Sequence, residues 1–229
     1  MTDAKKIDFW AIYEKAAAEV EAEHAEKDAN RGGVIAFYNR KGGVGSTTLA
    51  YHACLLARER GLSIAVASTD PTAELHRWLG LEPRAPDDEM AWDVDLAIVD
   101  VHAHTEQLPY DVDIWIVPVF NRMSFEHARD VSDQLVGEIY WLPNIQSALR
   151  ERSWVLEVPK HLRGQVEILP AVPRSVAIAS QADRRESVWA NPETAATTAA
   201  HRLRATLTRI LDEALTRDDG ADESAAATG

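Results

Sequence analysis

The sequence is poor in cysteine, in basic charge and in long apolar runs, and each shortage excludes something. A single cysteine, Cys54, among 229 residues rules out an internal disulfide and suits a reducing compartment. Its place on an apolar helix face makes it a core residue. No apolar run approaches the roughly 20 residues of a membrane-spanning helix. The opening MTDAKKIDFW lacks the apolar centre of a secretory signal, so the expectation is a cytoplasmic protein. Lys and Arg number 24 against 37 Asp and Glu, a net charge of −13, which excludes a chain that coats nucleic acid over its whole surface. The imbalance is uneven. Residues 82–100 hold seven acids and one base, 212–229 six acids and one base, and 174–209 six arginines against three acids. Contact with DNA would fall to that last segment.

What is present is an alternation. Continuous apolar runs at 34–39, 62–68, 95–101, 113–120, 138–143 and 166–173 read as buried strands. Helical patterns at 46–60, 72–80, 124–136, about 145–156 and 193–216 separate them. Apolar strands that alternate with helices mean an α/β fold: a mostly parallel twisted sheet covered by helices on both faces. Residues 7–27 carry an apolar helical stripe in their first half and read as a separate N-terminal helix within an extension over 1–31. "NRGG", Asn30–Gly33, reads as a stop and hinge before a single domain over 32–216. The stretch 217–229 is small, acidic and polar, a composition that does not pack.

Between the first strand and the first long helix lies "RKGGVGSTT". Gly42, Gly43 and Gly45 let the backbone curl until its N–H groups face an anion, and the helix dipole adds to the attraction. The common phosphate-binding loop reads G-x-x-x-x-G-K-[ST]. Here Ser46 stands where the lysine belongs, Thr47 holds the hydroxyl position, and Lys41 comes five residues earlier.

Together with "STDP" (68–71), "DLAIVDV" (95–101), "VDIWIVPV" (112–119) and "ILPAVPRSVAIASQADRRESVW" (168–189), this loop resembles the ParA/MinD family of deviant Walker A ATPases. The resemblance runs over about residues 33–211 and implies a P-loop NTPase fold that binds ATP or ADP with Mg²⁺. It implies a nucleotide-dependent homodimer in which Lys41 of one subunit reaches the phosphates held in the other. Gly42, Gly43, Val44, Gly45, Ser46, Thr47 and Thr48 match the phosphate cradle. Thr47 and Asp100 match the Mg²⁺ ligands, and Asp70 matches the aspartate that positions the attacking water. Asn144, Pro173 and Arg174 fall where the family holds the base. The role implied is plasmid or chromosome partition or cargo positioning, with a ParB-like or other adaptor and non-specific DNA as partners. Arg174, Arg184, Arg185, Arg202, Arg204 and Arg209 are the candidates for a DNA-facing patch, against the plainer reading of a solvated face or ion pairs.

The departures from the family pattern shape the expectation. Ser46 lacks the charge of the lysine, Ser68 replaces the first acid of D-x-D, and His102 and His104 replace the prolines usual after the Walker B aspartate. A metal role for the two histidines lacks a third ligand. The expected behaviour is ATP binding with slow or absent hydrolysis. Two alternatives keep the fold: a polar-localisation scaffold for pilus or secretion machinery, and an inactive pseudo-ATPase that acts as a protein-binding module. A membrane-bound role is disfavoured because the acidic C-terminal stretch has no apolar face.

Overall fold

The computed structural model describes residues 31–87, 91, 93–105, 111–145 and 162–216. The helices expected at 7–27 and 145–156, and the stretch 217–229, lie outside the described residues.

Seven strands make one sheet. They are β1 (Gly33–Tyr38), β2 (Ile64–Ser68), β3 (Leu96–Val101), β4 (Ile114–Val119), β5 (Glu138–Ile145), β6 (Val166–Ile168) and β7 (Val172–Pro173). The spatial order is β2-β3-β1-β4-β5-β6, with β7 also on β5, and every pairing is parallel. The expected single strand over 166–173 is two short ones, because Pro170 lies between them and has no N–H to give a ladder.

The helices are α1 (Ser46–Glu59), α2 (Glu74–Leu79), α3 (Arg122–Ser132), α4 (Val176–Asp183), α5 (Pro192–Ala195) and α6 (Thr198–Thr216). Helix α3 starts two residues earlier than its apolar pattern indicates. The Asn121 side chain accepts from the Ser124 N–H at 2.9 Å, while the Ser124 hydroxyl accepts from the Asn121 N–H at 2.8 Å, a reciprocal cap. The expected helix over 193–216 is interrupted, since the Thr197 hydroxyl accepts from the Ala200 N–H at 3.2 Å and opens α6 afresh. Helix α4 was not expected at all. Among the described residues, no helix is long and apolar enough to cross a membrane.

All six residues of β1, β3 and β4 are buried, as strands covered on both faces must be. Alternation splits them between two cores. Ile35 and Phe37 pack with Leu49, Leu56, Leu207 and Leu211 on the α1 and α6 side. Val34, Ala36 and Tyr38 pack with Val117, Val131 and Trp141 on the α3 side. The parallel register sets Phe37 level with Asp100 and with Ile116, so β1 and β3 finish together at one edge of the sheet. The loop after β1 and the end of β3 meet there.

The two glycines read as a hinge serve close approach instead. A Cβ on Gly33 would lie 2.6 Å from the carbonyl oxygen of Ala214 on α6. A Cβ on Gly32 would lie 2.1 Å from that of Val94. Arg31, just before them, pairs with Asp113 at 3.3 Å and fixes the entry of β1. Gly33→Ala must push α6 off the sheet, so it should cost about 1–3 kcal/mol. A fall in the urea midpoint without a change in slope is the expected result.

Candidate nucleotide site

The loop between β1 and α1 is fixed from below by Asn39, which is 2% exposed. Its side-chain amide donates to the carbonyls of Pro118 (2.8 Å) and Ser124 (3.2 Å), and its Oδ1 accepts from the Lys41 N–H at 2.8 Å. One side chain thus ties the loop's first turn to the end of β4 and the start of α3. Gly43 (φ 74°) and Gly45 (φ 99°) then take left-handed conformations that a side chain would strain. Gly45 is the N-cap of α1, its carbonyl accepts from Leu49 N–H at 2.9 Å, and no side chain caps the helix. The N–H groups of the first turn therefore have no helical partner and face outward, where an anion is favoured.

At the end of β3, Asp100 is 3% exposed. The Thr47 hydroxyl hydrogen-bonds to it, while Oδ2 has no partner. Burial raises its pKa to about 7; the Thr47 bond opposes the shift, and Asp70 and Glu74 add to it. A buried carboxylate with a free oxygen beside a threonine hydroxyl is a donor pair suited to a hard divalent cation. The residues expected to hold a metal thus fit one.

Ser68 explains why its own position lacks an acid. Its hydroxyl donates to the Asp100 carbonyl (3.2 Å) and accepts from the Asp70 N–H (3.1 Å), a span with no room for a second charge beside Asp100. Asp70 turns both carboxylate oxygens to Thr72, one to its N–H and one to its hydroxyl, each at 2.8 Å. Lys41 donates to the Gly42 carbonyl at 3.0 Å, and no carboxylate among the described residues pairs with it.

Two clefts flank the loop and share Gly43, Val44, Gly45 and Thr48. The first, about 380 Å³, gathers Lys41, Ser46, Thr47, Asp70, Glu74, Asp100 and His102. The second, about 320 Å³, gathers Phe120, Asn144, Pro173, Arg174 and Ile178. Asn144 joins the two, because its amide donates to the Val44 carbonyl at 3.2 Å. The Arg174 guanidinium lies 4.6 Å from the Phe120 ring centroid and forms one wall. Charge sits on one side of the loop and apolar surface on the other.

The structure therefore brings the expected loop, Asp70, Asp100, Asn144, Pro173 and Arg174 to one place. It does not bring Arg184, Arg185, Arg202, Arg204 or Arg209 there, since none lines either cleft. On α6, Arg204 pairs with Glu59, and Arg209 pairs with Glu167 (2.8 Å) and Glu213 (2.9 Å). Arg202 reaches the Ala171 carbonyl at 3.3 Å. Arg184 and Arg185 stand exposed at the end of α4. The His102 N–H donates to the Thr69 hydroxyl at 2.7 Å, and the His102 and His104 rings lie 5.3 Å apart. Among the described residues, no three His, Cys, Asp or Glu side chains gather closely enough to hold a metal unaided. Sequence reasoning missed Asn39, Phe120 and Glu74, none of which belongs to a motif.

No family model matches the chain, and no curated protein matches it in sequence. Solved structures do. The ATP complex of a McdA variant from Cyanothece is similar over 82% of this chain and 97% of its own, at 12% identity and a TM-score of 0.58. The cell-division protein MinD from Aquifex aeolicus is similar over 79% and 97%, at 17% identity and a TM-score of 0.58. A plasmid partition protein from Borrelia burgdorferi bound to AMPPNP, itself described as putative, is similar over 80% and 100%, at 12% identity and 0.58. The chain has the ParA/MinD fold. In that fold the clefts beside the loop lie at the strand ends, where open α/β sheets bind their ligands.

The strain on Asp100 is measurable without any ligand. A carboxyl whose pKa rises from 3.8 to about 7 on folding contributes stability below pH 3.8 and loses it as pH rises through 7. In EDTA, Asp100→Asn should therefore be more stable than wild type by up to about 4 kcal/mol above pH 7, and the gap should close toward pH 4. Urea unfolding of both proteins across that range reads the difference directly.

Proposed function

We propose that this chain is a ParA-like switch: it binds ATP with Mg²⁺, dimerises in response, hydrolyses poorly and so positions a cargo in the cytoplasm. The observation that carries the reading is the Thr47–Asp100 pair with its free, buried Oδ2 at the mouth of a glycine loop. Among the structural neighbours, McdA was solved with ATP, the partition protein with AMPPNP, and MinD from Pyrococcus horikoshii with Mg-ADP.

The roles follow from position. The α1 N–H groups and the Gly42–Gly45 backbone would hold the phosphates, with the Ser46, Thr47 and Thr48 side chains beside them. Thr47 and Asp100 would hold the metal. Mg²⁺ bound there neutralises phosphate charge and relieves the desolvated Asp100 carboxylate. Asp70 stands in the same cleft to orient water. Asn144, Pro173 and Arg174 would take the base in the second cleft.

Ser46 makes the difference from a working ATPase. A hydrogen bond to a charged group contributes about 1.5–3 kcal/mol, so the missing lysine weakens ATP binding by roughly 10- to 150-fold. Hydrolysis suffers more, because the charge to be stabilised peaks in the transition state. Lys41, which meets only the Gly42 carbonyl of its own loop, would serve a second copy. This favours binding that depends on dimerisation, with an adaptor protein and a surface such as nucleoid DNA as partners. On that reading Arg184 and Arg185 are the better DNA candidates, since on α6 Arg204 and Arg209 are occupied by ion pairs and Arg202 by the Ala171 carbonyl. The same serine favours the second reading, a localisation scaffold or pseudo-ATPase that never cycles.

Purified protein should bind Mg-ATP and double its mass by light scattering with ATP but not with ADP. Ser46→Lys should raise affinity at least about tenfold and bring measurable phosphate release. Lys41→Ala should abolish ATP-dependent dimerisation. Unchanged ATP affinity and mass in Lys41→Ala would sink the dimer role, and turnover absent even in Ser46→Lys would favour the scaffold.

A further inference from the structure

The phosphate-side cleft has an excess of negative charge that a nucleotide alone would make worse. Among the described residues three acids line it, Asp70, Glu74 and Asp100, with Lys41 as the one Lys or Arg. Ser46, where a lysine would sit, adds no charge. Lys41 donates to the Gly42 carbonyl rather than to any of the acids. Two negative charges are thus left uncompensated before any phosphate arrives. His102 is the other titratable group in the lining.

The three acids differ in what they hold. Asp70 is engaged through both oxygens by Thr72. Asp100 meets Thr47 and keeps Oδ2 without a partner, buried to within 3%. Glu74 opens α2, faces the cleft, and has no hydrogen bond or ion pair to a described residue. It lines the same cleft as Asp100. Two carboxylates with unpartnered oxygens in one cleft repel each other unless a cation lies with them.

We propose that Glu74 joins Asp100 in holding a divalent cation, so that the cleft accepts a nucleoside triphosphate only as its divalent-cation complex. The inference rests on the nucleotide reading of the cleft given above. The protein side chains alone do not form a three-ligand cage among the described residues. The cation therefore enters with the phosphates, whose oxygens complete its shell. A loop that keeps its lysine retains a fixed positive charge for bare nucleotide. This loop has replaced that charge with an acid-held cation, which makes divalent-cation supply a condition of binding.

The test is a titration of a fluorescent ATP analogue in Mg²⁺ and in EDTA, on wild type, Glu74→Gln and Ser46→Lys. Wild type should bind in Mg²⁺ and lose at least about tenfold in affinity in EDTA. Glu74→Gln should narrow that ratio several-fold, weakening the magnesium form and strengthening the bare one. Ser46→Lys should narrow it by strengthening the bare form. A ratio that Glu74→Gln leaves unmoved overturns the role of Glu74 while the nucleotide reading stands. Wild type that binds in neither condition overturns the nucleotide reading, and this inference with it. Matched melting curves of the three proteins in EDTA keep a folding defect from imitating either result.

Discussion

A single hydrogen bond, from the Thr47 hydroxyl to the Asp100 carboxylate, joins the start of α1 to the end of β3. The rest of the site is arranged around that junction. Parallel register between β1 and β3 brings both strand ends to the same height, so the loop leaving β1 must pass over Asp100. Asn39 holds the loop from the other side through β4 and α3. The carboxylate is too deeply buried to be solvated and has only one hydroxyl to replace the lost water. Folding alone does not satisfy it, which is the physical sense in which the site is made for a cation.

The same geometry makes sense of the departures along the neighbouring strand. A second acid at Ser68 would stand between Asp100 and Asp70, both already charged or strained. A hydroxyl instead bridges the two segments by accepting from one backbone and donating to the other. The loop's own lysine is gone, and the surviving one donates to the Gly42 carbonyl. The cleft therefore has less positive charge than a loop with its own lysine would give it, while Asp70, Glu74 and Asp100 keep negative charge within it. Such a cleft is weak for bare anions and selective for complexed ones.

Much of this was legible in the sequence because apolar runs and glycine spacing have strong physical causes. Six strand regions and the long helix after the glycine loop follow from the alternation, and the meeting of Thr47, Asp70 and Asp100 is what the family resemblance implies. What escaped the sequence depended on single contacts. One proline splits the expected last strand, and one threonine hydroxyl restarts the last helix. Gly32 and Gly33 looked like a hinge because glycine permits bending. In fact they are small because α6 and the turn before β3 come within contact of their Cα atoms. Asn39 and Phe120 carry no motif, and their roles exist only once β1 and β4 are neighbours.

Arginine enrichment in 174–209 shows where sequence arithmetic and surface charge part. The segment has three more bases than acids, yet two of its helical arginines, Arg204 and Arg209, are paired with Glu59, Glu167 and Glu213, all three of which lie outside it in the chain. Exposed pairs of this kind contribute little to stability, about 0–1 kcal/mol each, but they cancel field. The charge available to an outside partner is therefore smaller than the count suggests and lies toward Arg184 and Arg185, beside the second cleft's helix α4. A partner that reads charge at that end would sense the same helix whose first turn, at Val176 and Ile178, walls the second cleft. That shared helix joins a wall of the second cleft to the exposed arginines.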